Sequence, residues 1–170
     1  MKLIHCFALA GVIALAVILI TSITSTQPTS AAAPGRGPAA RGAGEFSVVI
    51  EPRFKSFHYS FDVRANEGGH AQGLAEFDNL TDGTTVVVKV KCLQVNDSDA
   101  IMTGFVLHSD DPNFPMHSNV LFAAVDSALF PQLGRDLITP LFLFPDADCR
   151  TTATPLTLLN QPPEAIQIEP

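Results

Sequence analysis

The residues best suited to chemistry in this sequence lie in one short polar segment, His108–His117. It contains two imidazoles and two carboxylates, which are common protein ligands of divalent metal ions. Their spacing matches no known metal-binding motif, and Asp and Pro are also typical of an ordinary solvated turn. The segment therefore supplies four candidate metal ligands, His108, Asp110, Asp111 and His117, and a plain exposed loop is the alternative interpretation.

A second polar set alternates along one segment and consists of His58, Ser60, Asp62 and Arg64. Alternate residues of a strand point to the same face, so these side chains line a polar cavity if that face turns inward. If the face meets water, they are only its solvated side. A Ser-His-Asp triad requires groups that converge from different segments, and this set comes from one strand.

No common catalytic or phosphate-binding motif occurs in the sequence, including G-x-S-x-G and H-E-x-x-H. We therefore expect a protein that is not an enzyme and that carries no cofactor. A metal-dependent or His/Asp enzyme that uses the loop at residues 108–117 is the alternative.

The elements that must position these residues are strands. Hydrophobic residues recur with period two along Phe57–Ala65, Ala71–Asp78 and Thr84–Val95, which is the mark of strands with one buried face. The alternation changes phase near Cys92, which predicts a β-bulge there. No long segment after residue 45 shows the period of 3.6 residues that is typical of a helix.

Gly- and Asn-rich turns separate these strands, as at Asn66–Gly69 and Asn79–Gly83. Further strands are predicted at Asn119–Asp126 and Leu137–Phe144, and a short one at Ile166–Ile168. Strands joined by short turns are usually neighbours in space. The predicted fold is all-β, a small antiparallel meander of six to eight strands that forms a closed or partly open barrel, with a two-sheet sandwich as the alternative.

The N-terminus has the order of a secretory signal peptide. A basic start is followed by an apolar run from about Phe7 to Ile20 and then by small residues. We predict a signal peptide at 1–31, a disordered Ala/Gly/Pro linker at 32–44 and a single β domain at 45–170. An uncleaved membrane anchor is the alternative, and it would be the protein's only contact with a membrane.

Three cysteines occur in the chain, and Cys6 belongs to the predicted leader. The other two, Cys92 and Cys149, are predicted to form a disulfide, because paired cysteines are usual in exported domains. No C-x-x-C motif occurs, so a structural role is favoured over a redox one. Two unrelated thiols are the alternative.

Acidic residues outnumber basic ones by 17 to 10, which gives a net charge of −7. Binding to nucleic acid requires clustered positive charge, so we expect no nucleic-acid partner.

Three strand segments, Lys91–Asn96, Ala100–Gly104 and Val120–Asp126, together resemble a class of small exported bacterial β-domain proteins. That class carries a C-L-x-V strand, a strand that ends in Gly, a V-L-F-x-V-x-D strand and a late Cys. The resemblance covers residues 45–168 and implies the fold and the disulfide but no activity. Asp110–Ser118 departs from the pattern as an insertion.

These observations together favour a non-enzymatic module, secreted or held in the cell envelope. The Phe-rich strands predict that it binds a small apolar ligand or another envelope component, since a small barrel either fills with side chains or holds one ligand. With 12 Phe in the chain, a completely filled core is equally consistent, and the protein would then act through its surface.

Overall fold

The computed structural model describes residues 37–50, 53–66, 68, 70–129, 131–146, 148–151 and 157–170. The predicted leader at 1–31 lies outside these ranges. The described residues form strands, turns and one short 3-10 helix at Pro131–Leu133, which confirms the all-β prediction. No helix within these ranges has the length and hydropathy needed to cross a membrane.

One antiparallel sheet contains all the strands of the described ranges, and its order is β10-β1-β2-β3-β4-β5-β6-β7-β9, with β8 paired to β6. Strands β1 to β6 follow one another as a meander, as predicted. The ten strands are β1 (Ala39–Ile50), β2 (Arg53–Ala65), β3 (Ala71–Asn79), β4 (Thr84–Asn96), β5 (Asp99–Ser109), β6 (Asn119–Val125), β7 (Leu137–Ile138), β8 (Phe142–Leu143), β9 (Leu159–Asn160) and β10 (Ile166–Glu169).

The inner face of the sheet forms the main core. The predicted alternation in β2 is confirmed, because Tyr59, Phe61, Val63 and Ala65 are buried while the residues between them are exposed or half-buried. The same face continues through β1, β3, β4, β5, β6 and β10. Phe122 is completely buried in this core, and its ring meets those of Phe61 and Phe77 edge-on.

The predicted bulge near Cys92 is confirmed. Val90 pairs with Gly104 and Cys92 pairs with Thr103, so one residue of β4 has no partner in β5. Beyond the bulge Leu93 turns to the core, and Cys92 turns to the outer face. A Cβ atom at Gly104 would lie 2.2 Å from the Lys89 carbonyl oxygen, so only glycine fits this position.

A smaller apolar cluster covers the outer face of β5 and β6. It consists of Ile101, Leu121, Ala123 and Cys149, with Phe142 packed against it. The predicted disulfide joins Cys92 to Cys149, whose Cα atoms are 5.8 Å apart, and it fastens the C-terminal segment over this cluster. A loop of this length gives about 4 kcal/mol of stability in the chain-entropy model.

The sheet is not closed into a continuous ladder. Strand β10 pairs with β1 on one side, and on its other side two aspartate carboxylates accept its backbone N–H groups. The Ile166 N–H donates to Asp136 Oδ2 at 2.8 Å, and the Ile168 N–H donates to Asp126 Oδ2 at 3.0 Å. Side chains of the segments after β6 therefore satisfy the outer edge of β10.

The linker prediction is wrong for residues 39–44, because β1 begins at Ala39; residues 32–36 lie outside the described ranges. Ala39 and Ala40 are buried, and residues 39–42 pair with both β2 and β10. A Cβ atom at Gly42 would lie 2.8 Å from the Phe61 ring. The small residues thus leave room for neighbouring aromatic side chains, and the folded part begins before the predicted boundary at residue 45.

The single strand predicted at Leu137–Phe144 is two strands, β7 and β8, separated by Thr139–Leu141. Pro140 has no N–H group to donate to a ladder. The Thr139 side chain replaces part of the pairing, since its Oγ1 accepts the Ala123 N–H at 2.9 Å.

Candidate functional site

The loop between β5 and β6 contains the four candidate metal ligands, and its aspartates bond within the loop and to β4. Asp110 Oδ1 accepts the Thr85 N–H. Asp111 Oδ1 accepts both the backbone N–H and the side-chain amide of Asn113, at 2.8 and 2.9 Å. His108 and His117 are exposed, and His117 has a positive φ of 68°.

The structure does not bring three of these four side chains to within metal-ligand separation of one another. Among the described residues, three potential ligand atoms lie within 4.8 Å only at Cys92, Asp148 and Cys149, where the two cysteines form the disulfide. The Asp110 and Asp111 bonds instead give the loop a fixed turn.

The polar set on β2 lies on the outer face of the sheet. Asp62 and Arg64 are exposed, and His58 and Ser60 are half-buried. His58 Nδ1 lies 3.3 Å from Asp78 Oδ2 on the neighbouring strand β3. The set therefore does not line an internal cavity.

A small apolar pocket opens at the end of the inner face where β1, β2, β3 and β4 reach their turns. Its volume is about 100 Å³. The strands contribute alternate inward-facing side chains to it, and the loops after β5 and β7 complete the wall. The lining residues are Phe46, Val48, Phe57, Phe77, Asn79, Thr84, Val86, Asp111, Phe114, Pro140 and Leu141.

Aromatic rings form much of the pocket wall. Phe46 and Phe57 stack with ring centroids 5.2 Å apart, and they are directly opposite each other on β1 and β2. Phe114 reaches the same space from the β5–β6 loop and packs against the core. The loop predicted to hold a metal thus supplies an apolar wall of the pocket. The sequence did not indicate this role, because Phe114 stands between Asn113 and Pro115 and outside any strand pattern.

The pocket has one buried polar atom without a hydrogen-bond partner. Thr84 Oγ1 is inaccessible to solvent, and no described residue bonds to it. Asn79, directly opposite on β3, is already engaged, because its Oδ1 accepts the Thr81 and Asp82 N–H groups and its Nδ2 donates to Asp82. Buried polar groups are nearly always paired in folded proteins, so the unpaired Thr84 Oγ1 is an exception beside this pocket.

A second buried polar pair lies deeper in the core. The Tyr59 hydroxyl and Gln161 Oε1 are both buried without partners among the described residues, and both border Gly44. A Cβ atom at Gly44 would lie 3.0 Å from the hydroxyl and 2.6 Å from Gln161 Oε1. Burial raises the pKa of Tyr59 far above its usual range, and the charge of Asp136 raises that pKa further.

No protein-family model, curated protein or solved structure matches this chain.

Proposed function

We propose that this protein is a non-enzymatic binding module that takes a small apolar ligand into the pocket at the open end of its sheet. The observation that carries the proposal is the pocket itself, an apolar space of about 100 Å³ walled by four phenylalanines and bordered by Thr84, whose buried hydroxyl is unpaired. Ligand pockets are typically apolar with a few placed polar groups.

The size of the pocket defines the ligand. An engineered apolar cavity of about 150 Å³ encloses benzene, so a space of about 100 Å³ encloses a short alkyl chain or holds an aromatic ring that projects partly from its open end. Most drug-sized ligands need about 300 Å³ or more. The ligand is therefore a small molecule or the apolar end of a longer one.

Thr84 Oγ1 gives the site a preference among apolar ligands. Rotation of the Thr84 side chain toward the pocket lets a ligand hydroxyl or carbonyl group bond this atom, whereas a pure hydrocarbon leaves it unpaired. The preferred class is thus an alcohol or carbonyl compound with a short apolar group.

The module works outside the cytoplasm in this proposal, either secreted or in the cell envelope. The disulfide between Cys92 and Cys149 supports that location, since disulfides persist in oxidising compartments. We further propose a partly open barrel rather than a two-sheet sandwich, because side chains from β1 to β6 and β10 share one core.

The test is a titration with benzyl alcohol and toluene, followed by NMR shifts of the Val86 methyl groups. We expect benzyl alcohol to shift these signals saturably and to bind more tightly than toluene by about threefold to tenfold, because one buried hydrogen bond is worth about 1 kcal/mol.

Two neighbouring valines give a matched pair of variants. Val48 faces the pocket, and Val49 is 61% exposed on the other face of β1. Val48→Phe fills the pocket and should weaken binding at least about tenfold, while Val49→Phe should leave it unchanged, because successive strand residues point to opposite faces. Equal binding by both variants, or no saturable shift in the native protein, would overturn the proposal.

A further inference from the structure

A second groove, which shares Phe46 alone with the lining of the apolar pocket, runs beside the second half of β1. Its volume is about 520 Å³, and its lining combines β1 and β2 residues with the segment at residues 158–160. Glu45, Phe46 and Ser47 form one wall, and Leu158 and Leu159 form the other. The groove therefore lies between β1 and β9, the last strand of the sheet order.

The β1 wall of the groove is a strand edge. Strand β10 pairs with β1 only along residues 39–42, and the last backbone bond on this side joins the Ala43 N–H to the Ala165 carbonyl at 3.1 Å. From residue 44 onward β1 pairs with β2 alone among the described strands. Among the described strands, the sheet is therefore open over the half of β1 that borders the groove.

The direction of the open backbone groups follows from the Ala43 bond. Along an antiparallel strand, the N–H and C=O groups of alternate residues point to opposite neighbours. Because the Ala43 N–H points away from β2, those of Glu45, Ser47 and Val49 do so too. These three residues span about 14 Å at the usual rise of a strand.

We propose that this groove binds an extended peptide segment of a partner protein, which adds to β1 as a further strand. Strand addition of this kind derives its affinity from main-chain hydrogen bonds and its specificity from alternate side chains. Glu45, Ser47 and Val49 supply the hydrogen-bonding groups.

The lining defines the chemistry of the peptide. Its inward positions meet Phe46, Leu158 and Leu159, so they carry apolar side chains. Its outward position beside Glu45, which is exposed and is the charged residue of the lining, carries Lys or Arg. The peptide therefore alternates apolar with polar or cationic residues.

A second copy of this chain fits the groove less well than a separate peptide. The inward side chains of its own β1, Phe46 and Val48, are already packed in its core, so they are not free to fill another groove. Pairing of two β1 edges would thus leave the space beside Leu158 and Leu159 empty.

The probes are three acetylated, amidated octapeptides in which Val, Leu or Phe alternates with Ser and Lys, added to the full-length protein. We expect at least one to slow hydrogen exchange of the Glu45, Ser47 and Val49 amides about tenfold or more. The amides of Gly44, Phe46 and Val48, which already face β2, should change little.

Ser47→Pro removes one N–H from the open edge, and Ser47→Ala keeps it. We expect Ser47→Pro to weaken peptide binding about tenfold, because it removes one main-chain bond and disturbs its neighbours, and Ser47→Ala to bind within about twofold of the native protein. The same peptide, N-methylated on the amides that would face β1, should not bind, because it has lost the N–H groups that bond to the strand edge. This comparison tests the edge even if Ser47→Pro does not fold.

Equal binding of the methylated and unmethylated peptides, or no protection by any of the three, would overturn the proposal. Protection that rises with protein concentration in the absence of peptide would also overturn it and would assign the edge to a second copy. Benzyl alcohol binding tests the apolar pocket and not the groove. The peptide result therefore stands whether or not benzyl alcohol binds.

Discussion

At the scale of single residues, the most unusual group is the hydroxyl of Tyr59. Its side chain is completely buried between Phe46 and Phe61, with ring centroids 6.0 and 6.1 Å away, and its hydroxyl has no partner among the described residues. A buried phenol resists ionisation, and the nearby Asp136 charge opposes it further.

Tyr59 is the single tyrosine of the chain, so the ultraviolet absorbance of phenolate reports this residue alone. Its pKa in the folded protein is raised above the unfolded value, so its contribution to stability is complete below about pH 10 and is lost as the pH rises through the folded pKa. We predict that phenolate appears only together with alkaline unfolding.

Tyr59→Phe provides the control for this titration. It removes a buried hydroxyl that has no partner, so the free energy of unfolding at neutral pH should stay the same or rise by up to about 1 kcal/mol. The free energy of unfolding of the variant should also fall less steeply above pH 10, because the variant lacks the phenol that ionises there. A phenolate signal that titrates near pH 10 in the folded native protein would contradict the burial of this hydroxyl.

At the scale of elements, the best-defined contact is the one between β10 and the carboxylates of Asp126 and Asp136. Asp136 is completely buried, and Oδ1 accepts both the backbone N–H and the hydroxyl of Ser127, at 2.9 and 2.7 Å. Oδ2 accepts the Ile166 N–H. One side chain thus joins the turn after β6 to the edge of β10.

We predict that Asp136→Asn lowers the free energy of unfolding by about 2–4 kcal/mol, because an amide group turns a donor toward either Ser127 or Ile166 and leaves buried groups unpaired. Urea unfolding measures this loss, and the Ile166 amide should exchange faster. Asp146→Asn, on an exposed turn, is the control and should change stability by less than about 0.5 kcal/mol. A similarly small effect of Asp136→Asn would refute the role of the carboxylate.

The alternation of hydrophobic residues and the positions of Gly and Asn correctly predicted the strands and turns that depend on local sequence. The alternation from Phe57 to Ala65 and the turn at Asn79–Gly83 are found as expected, because each is determined by residues within a few positions. The apolar pocket could not be predicted in this way. It joins Phe46, Phe114 and Leu141, which are far apart in sequence and meet only through strand order and register.

At the scale of the whole molecule, the packing of strands against one another explains why the linker prediction for residues 39–44 was wrong. The Ala- and Gly-rich composition of residues 32–44 is typical of a linker, because such residues offer little apolar surface of their own. In the folded chain Ala39 and Ala40 are covered by their neighbours, and Gly42 and Gly44 lie against the rings of Phe61 and Tyr59. Residues 39–44 are ordered by surfaces that other strands provide.

The position where the folded part begins can be tested with two shortened chains. A chain that begins at residue 37 keeps all of β1, and one that begins at residue 45 lacks the part that pairs with β10. The second loses the burial of Ala39 and Ala40 and several backbone bonds, so we expect its free energy of unfolding to be lower by about 3 kcal/mol or more.

Urea unfolding of both chains against the full-length protein measures the difference. Ile166 and Ile168 would keep their bonds to Asp136 and Asp126 in the shorter chain, but β10 would lose β1 as its neighbour on the other side. The Gln167 and Glu169 amides, which face β1, should therefore exchange faster there and remain slow in the chain from residue 37. If both chains have the same free energy of unfolding as the full-length protein, residues 39–44 contribute nothing to the stability of the fold, and the linker prediction is correct for them. If only the chain from residue 37 matches it, the first half of β1 is the strand that holds β10 against the rest of the sheet.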